Sequence, residues 1–152
     1  MSGPSTATIV FPDSSLLKVT DLVSGNYTFK LSATDDDGDV SSDNLKITVN
    51  EPDNESPVVS AGTDKTIQLP VNSLNLQATE SDSDGTIASR QWQQISGPTA
   101  ATLTNANTKT VTVSDLVEGS YTFEFMATDD DGAQGVDDVM VVVQPEAQNQ
   151  PP

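Results

Sequence analysis

Two short acidic runs carry the residue types best suited to chemistry: Asp82-Ser83-Asp84-Gly85 and Asp129-Asp130-Asp131-Gly132, with Asn54 as an amide oxygen upstream of both. Carboxylates and amide carbonyls are hard ligands, and Ca²⁺ takes about six to eight such oxygens at roughly 2.3–2.6 Å. Asn54, Asp82, Asp84, Asp129 and Asp131 are therefore the candidate metal ligands, provided the fold brings the runs to one place. The same residues serve plain turns equally well, because Asp and Gly suit turn backbones and a solvated carboxylate costs nothing. An EF-hand is excluded. Counting Glu80 as the first loop position places Asp82, Asp84 and Gly85 correctly, but the twelfth position is Gln91 and not the bidentate Glu.

The composition removes most other chemistry. Among 152 residues there are 6 Lys+Arg, 23 Asp+Glu, no Cys and no His, for a net charge of −17. Without Cys or His there is no thiolate nucleophile, no ordinary zinc site and no imidazole base. A chain this acidic cannot neutralise a run of phosphates, so nucleic acid is excluded as a partner, and cations are favoured. No stretch approaches the roughly 20 apolar residues needed for membrane insertion. Paired carboxylates can serve a glycosidase or an aspartic protease, but those enzymes hold two acids in a cleft, whereas these acids fall in short turns. The chain is expected to be no enzyme.

The elements that must position the acids are strands. Thr66 to Leu69 and Leu74 to Ala78 alternate in polarity, and the second ends at the turn Glu80 to Gly85. Ile87 to Ile95 carries Trp92 and is broken by Ser96-Gly97-Pro98; Thr110 to Ser114 alternates around Val111 and Val113. Tyr121, Phe123, Phe125 and Ala127 point one way and Thr122, Glu124 and Met126 the other; Val139, Val141 and Val143 close the unit. About seven short strands with a turn signal every eight to twelve residues describe an all-β, antiparallel, immunoglobulin-like β-sandwich. In that topology the loops bearing Asp82, Asp84, Asp129 and Asp131 leave at one end, near Asn54. Trp92 is expected in the core, and Tyr27 and Tyr121, each just after a turn glycine, are expected to pin a corner through their hydroxyls.

The chain also repeats itself at an offset of 94 residues, without a gap. Ser2-Gly3-Pro4 falls on Ser96-Gly97-Pro98, Asp21-Leu22-Val23 on Asp115-Leu116-Val117, Tyr27-Thr28-Phe29 on Tyr121-Thr122-Phe123, and Ala33 to Gly38 on Ala127 to Gly132. The expected organisation is the C-terminal half of a repeat over 1–50, a linker over 51–56, a complete repeat over 57–145, and a linker to a further repeat over 146–152, a window from a longer array. Val19, Tyr27, Phe29, Leu31, Leu45, Ile47 and Val49 of the half copy need cover. Three outcomes are open: the half copy is disordered, it pairs with another chain, or it competes with residues 96–145 for the one first half at 54–95 and so drives self-association.

Asn54-x-x-Pro57, Asp82-x-Asp84-Gly85-Thr86-Ile87, Trp92-Gln93, Ser96-Gly97-Pro98, Val111-x-Val113-x-Asp115-Leu116, Gly119-x-Tyr121-x-Phe123 and Ala127-x-Asp129-x-Asp131-Gly132 together resemble the polycystic-kidney-disease (PKD) domain family. The resemblance spans the complete copy and the second half of another. Cadherin-like domains are the second resemblance, through Asp53-Asn54-x-x-Pro57 and Ala127-Thr128-Asp129-x-Asp131, but Trp92-Gln93 and Ser96-Gly97-Pro98 favour PKD. The PKD resemblance implies an immunoglobulin-like module, tandemly arranged on secreted or cell-surface proteins, acting as stalk, spacer or adhesion element. It also implies calcium at positions matching Asn54, Asp82, Asp84 and Asp129. Expected partners are neighbouring repeats of the same chain, and a glycan or a surface protein. A glycan- or polysaccharide-binding accessory module of a secreted hydrolase is the alternative; one Trp, two Tyr and four Phe, mostly at inward-phased positions, offer it few stacking platforms.

Overall fold

A computed structural model describes residues 2–10 and 16–148. The chain divides into two compact units, Met1–Asp53 and Asn54–Pro152.

The first unit contains β1 (Thr8–Val10), β2 (Lys18–Thr20), β3 (Gly25–Thr34) and β4 (Val40–Val49). β1 pairs with β2, and β3 pairs with β4 from Gly25↔Val49 to Thr34↔Val40, both antiparallel. Tyr27, Phe29 and Ala7 are buried, with Val19, Leu22, Ile47 and Val49 packed against them. Leu31 and Leu45, which the sequence marks as needing cover, remain 70% and 58% exposed.

The second unit contains β5 (Val58–Ser60), β6 (Lys65–Gln68), β7 (Leu74–Gln77), β8 (Thr79–Ser81), β9 (Ile87–Ser96), β10 (Thr102–Thr104), β11 (Thr110–Ser114), β12 (Gly119–Asp129) and β13 (Gln134–Gln144). A four-stranded sheet, β6-β13-β12-β9, and a three-stranded sheet, β10-β11-β7, supply the side chains of one core, while β5 pairs with β8. Strict alternation on β11, β12 and β13 builds that core: Val111, Val113, Tyr121, Phe123, Phe125, Ala127, Val139, Val141 and Val143 are all buried. Trp92 of β9 lies opposite Phe125, with ring centroids 5.1 Å apart.

The structure departs from the sequence expectation in two respects. β6 runs parallel to β13, so the pairing is not wholly antiparallel. β5, β8 and β10 are additional strands; at three residues each, they are too short to show a period of two.

Both tyrosines close corners as expected. The Val117 amide donates to Tyr121 Oη at 2.9 Å, and the Val23 amide donates to Tyr27 Oη at 2.9 Å. Gly119 and Gly25 begin the tyrosine strands at φ of 140° and 132°, each against a proline ring (Pro98 and Pro4) that a Cβ would strike. Tyr121→Phe leaves the Val117 amide without its acceptor and is expected to destabilise the unit by about 1–3 kcal/mol, read as a lower urea midpoint at unchanged slope.

Candidate metal-binding loops

Three segments converge at one end of the second unit. The first follows β8: Asp82, Ser83 and Asp84 occupy the connection to β9. The second joins β12 to β13 through Asp129, Asp130 and Asp131, where the Asp129 amide donates to the Ala133 carbonyl at 3.0 Å. The third is Asn54-Glu55, just ahead of β5.

Hydrogen bonds stitch them together. Asp129, only 2% exposed, accepts from the amides of Asp131 (3.0 Å) and Ala133 (2.8 Å) on Oδ1 and from Asn54 Nδ2 (3.0 Å) on Oδ2. Asp84 Oδ2 accepts from the Glu55 amide at 2.9 Å, and Ser83 Oγ lies 2.7 Å from Glu55 Oε2. Asp130 Oδ1 accepts from the Thr86 amide at 2.6 Å, while the Asp130 amide donates to the Thr86 carbonyl at 3.0 Å. Gly135 permits the approach of the N-terminal segment, since a Cβ there would stand 2.1 Å from the Pro57 carbonyl oxygen.

Asp82 is the exception in this network. Both its carboxylate oxygens are buried, and neither has a hydrogen-bond partner. Burial pushes its pKa up and the neighbouring Asp84 carboxyl adds to the rise; the Asp84 amide opposes them, and the charges of Asp84 and Asp129 add smaller upward pushes. Asp129 responds oppositely. Burial raises it, but Asn54 and the amides of Ala133, Gly132 and Asp131 together hold it below the ordinary carboxylate range. The Thr86 amide, first among several hydrogen bonds, lowers Asp130.

Of the sequence-selected residues, Asn54, Asp82, Asp84 and Asp129 are thus brought together. Asp131 is exposed and enters through its backbone amide. Asp130 and Glu55, which the sequence did not single out, tie the loops to one another; the run of three Asp residues held no signal for which one turns inward. Among the described residues no three acidic side chains stand as a finished metal cage. The orphaned Asp82 carboxylate is held beside the Asp84 carboxyl and within the field of Asp129. In the first unit, Asp35 Oδ1 accepts from the amides of Asp37 (3.1 Å) and Asp39 (2.8 Å), reproducing the Asp129 turn, but Asp35 is exposed.

A second buried acid escaped the sequence reading, which placed Glu80 in a turn. Glu80 lies on β8 with its side chain 2% exposed; its Oε1 takes Arg90 Nε at 2.7 Å and Lys109 Nζ at 3.3 Å. All six aromatics among the described residues, Tyr27, Phe29, Trp92, Tyr121, Phe123 and Phe125, are buried. Phe11 lies outside the described residues.

Known proteins carry the same pattern. The chain is 36% identical over its whole length to the dyslexia-associated protein KIAA0319-like protein of Mus musculus, and spans 15% of that protein. It is 34% identical, again over its whole length, to the dyslexia-associated protein KIAA0319 of Homo sapiens, and spans 14% of it. Among solved structures, the PKD domain from KIAA 1837 protein matches with a TM-score of 0.55 at 32% identity, over 67% of this chain and all of that one. The PKD domain of human KIAA0319 matches with a TM-score of 0.55 at 27% identity, over 64% of this chain and 89% of that one. The family model described as "K319L-like, PKD domain" matches residues 1–49 and 61–143, so that sequence, sandwich and tyrosine corners agree: the chain belongs to the K319L-like PKD domain family.

Proposed function

We propose that the chain is a non-enzymatic extracellular repeat module, a stalk, spacer or adhesion element of a larger secreted or cell-surface protein, stiffened by Ca²⁺ bound among Asn54, Asp82, Asp84 and Asp129. The observation that carries the calcium reading is the pair of buried, unpartnered Asp82 oxygens beside Asp84. A buried carboxylate requires a proton or a cation for a partner, and at neutral pH a divalent cation meets that need for several carboxylates at once. The ion would hold the Asn54-Glu55 segment against the loops and so restrict the hinge between successive repeats. Burial of the described aromatics favours this role over the stacking of sugars.

Thermal unfolding in EDTA and then across a calcium titration, with magnesium as control, tests the reading. A ligand that binds only the folded state at about 100 times its Kd adds about 2.7 kcal/mol, a rise of several degrees. Asp82→Asn sharpens the test by its sign. The stability contributed by a raised carboxyl is complete below the unfolded-state pKa and is lost as pH rises through the raised value. Asp82→Asn is therefore expected to unfold at a higher temperature than the parent in EDTA at neutral pH, and to lose the calcium response. Asp129→Asn should do the reverse in EDTA, because a lowered carboxyl contributes stability above the unfolded-state pKa that is lost only as pH falls through the lowered value. An unchanged melting temperature for the parent at millimolar calcium would reduce the loops to hydrogen-bonded turns.

A further inference from the structure

The outer sheet faces of the two units occupy the same repeat positions and carry opposite charge. In the first unit Tyr27 and Phe29 are buried, so alternation puts Asn26, Thr28 and Lys30 of β3 on the solvent side, with Asn44, Lys46 and Thr48 of β4 beside them. Thr48 Oγ1 donates to Asn26 Oδ1 at 2.7 Å across that face. Its charged groups are Lys30 and Lys46, which are exposed and form no ion pair among the described residues. Asp43 alternates to the other side with Leu45 and Ile47. Because the face lies opposite Tyr27 and Phe29, it is independent of whatever covers Leu31. Two cations with no acid beside them are an anomaly in a chain with 6 Lys+Arg and 23 Asp+Glu.

The offset of 94 turns Lys30 into Glu124, Asn44 into Asp138 and Lys46 into Met140. Glu124 and Asp138 stand directly opposite each other on β12 and β13, an arrangement of like charges that weakens a sheet. Glu124 accepts from Gln93 Nε2, and neither acid meets a cation among the described residues. Apolar side chains flank them: Met126 pairs with Val136, and Val136 and Met140 are 56% and 43% exposed. One face thus offers two unpaired lysines, and its counterpart offers two unneutralised acids set among exposed apolar groups.

We propose that the Lys30–Lys46 face of one copy docks on the Glu124–Asp138 face of a second copy of this chain, sheet against sheet. The ammonium groups neutralise the facing acids, and the lysine stems lie over Val136 and Met140. Each copy carries both faces, so copies join as a closed pair or as an open row. The net charge of −17 opposes approach from a distance. At about 0.15 M salt the screening length is about 8 Å, which suppresses that repulsion and leaves the close pairs. The contact uses none of the residues of the Asp82–Asp129 loops and stands apart from the calcium reading.

Sedimentation equilibrium of the full chain, in EDTA and at about 0.15 M salt, tests it. The parent is expected to associate reversibly, its average mass rising with concentration up to about 1 mM. Lys30→Glu with Lys46→Glu gives a chain with two acidic faces, and Glu124→Lys with Asp138→Lys a chain with two basic ones. Each double variant alone is expected to associate about tenfold more weakly than the parent or worse, and an equimolar mixture of the two to regain association. Glu124→Gln with Asp138→Asn adds a readout that a merely structural role would not move. Removing the facing charges should raise the urea midpoint of the chain while weakening its association. A parent of constant mass up to about 1 mM overturns the proposal. Association that survives Lys30→Glu with Lys46→Glu overturns it equally, as does a mixture of folded charge-reversed variants that stays monomeric. Should the Lys variant fail to fold, the Gln and Asn pair decides, and association at parental strength overturns the proposal.

Discussion

Replacing Trp92 by alanine is expected to destabilise the second unit by about 3–5 kcal/mol, a large share of the roughly 5–15 kcal/mol that holds an ordinary domain folded. Trp92 is 1% exposed, packs on Phe125 at 5.1 Å, and donates from Nε1 to the Thr108 carbonyl at 3.1 Å. Its own amide donates to the Ala106 carbonyl at 2.7 Å, so the residue ties the β9 edge to the 105–108 loop as well as filling the centre of the sandwich. Truncation leaves a cavity between the two sheets and an unpaired Thr108 carbonyl. Trp92→Phe, which keeps a ring on Phe125 and loses the indole N–H, should fall between parent and alanine variant. Because Trp92 is the only tryptophan, the comparison is made by circular dichroism in urea and not by fluorescence. A midpoint for Trp92→Ala equal to that of the parent would contradict the core assignment.

Removing Arg90 ranks next. Arg90→Ala takes the guanidinium from a Glu80 side chain that is 2% exposed and whose second oxygen already lacks a partner. A broken buried pair costs about 3–5 kcal/mol, and the lower end is expected here because Lys109 still reaches the same oxygen. The loss arises from stranding a charge and not from the worth of the ion pair. Glu80→Leu combined with Arg90→Met should therefore recover most of the stability that Arg90→Ala loses, with Lys109, already half exposed, turning to solvent. A double-mutant cycle in urea measures both, and a double variant as weak as Arg90→Ala would show that the pair is favourable in its own right.

The long alternating strands were legible because burial on one face requires a period of two and because the tyrosine corner and Ser-Gly-Pro break recur 94 residues apart. β9, β11, β12 and β13 lie where Trp92, Val111, Phe123 and Val141 indicate. The convergence of Asn54, Asp82, Asp84 and Asp129 was legible for the same reason: strand directions in a sandwich dictate which loops share an end. Three-residue strands were not, because β5, β8 and β10 owe their conformation to the neighbours they pair with.

What the sequence by itself determined about this protein is its set of periods: two within each strand and 94 between copies, and with them the fold class, the core aromatics and the end of the sandwich where acids gather. The tertiary structure decided which acids matter. Asp129, Asp130 and Asp131 are three identical residues in a row, yet one is buried and takes three hydrogen bonds, one caps Thr86, and one is exposed with its amide on Asp129. Glu80 became a buried ion-pair centre and Asp82 an orphaned carboxylate, two acids separated by one residue. Local sequence fixes which residue types can turn or alternate; the partner that each polar group finds comes from segments dozens of positions away, and the desolvation that sets its charge comes only once they close around it.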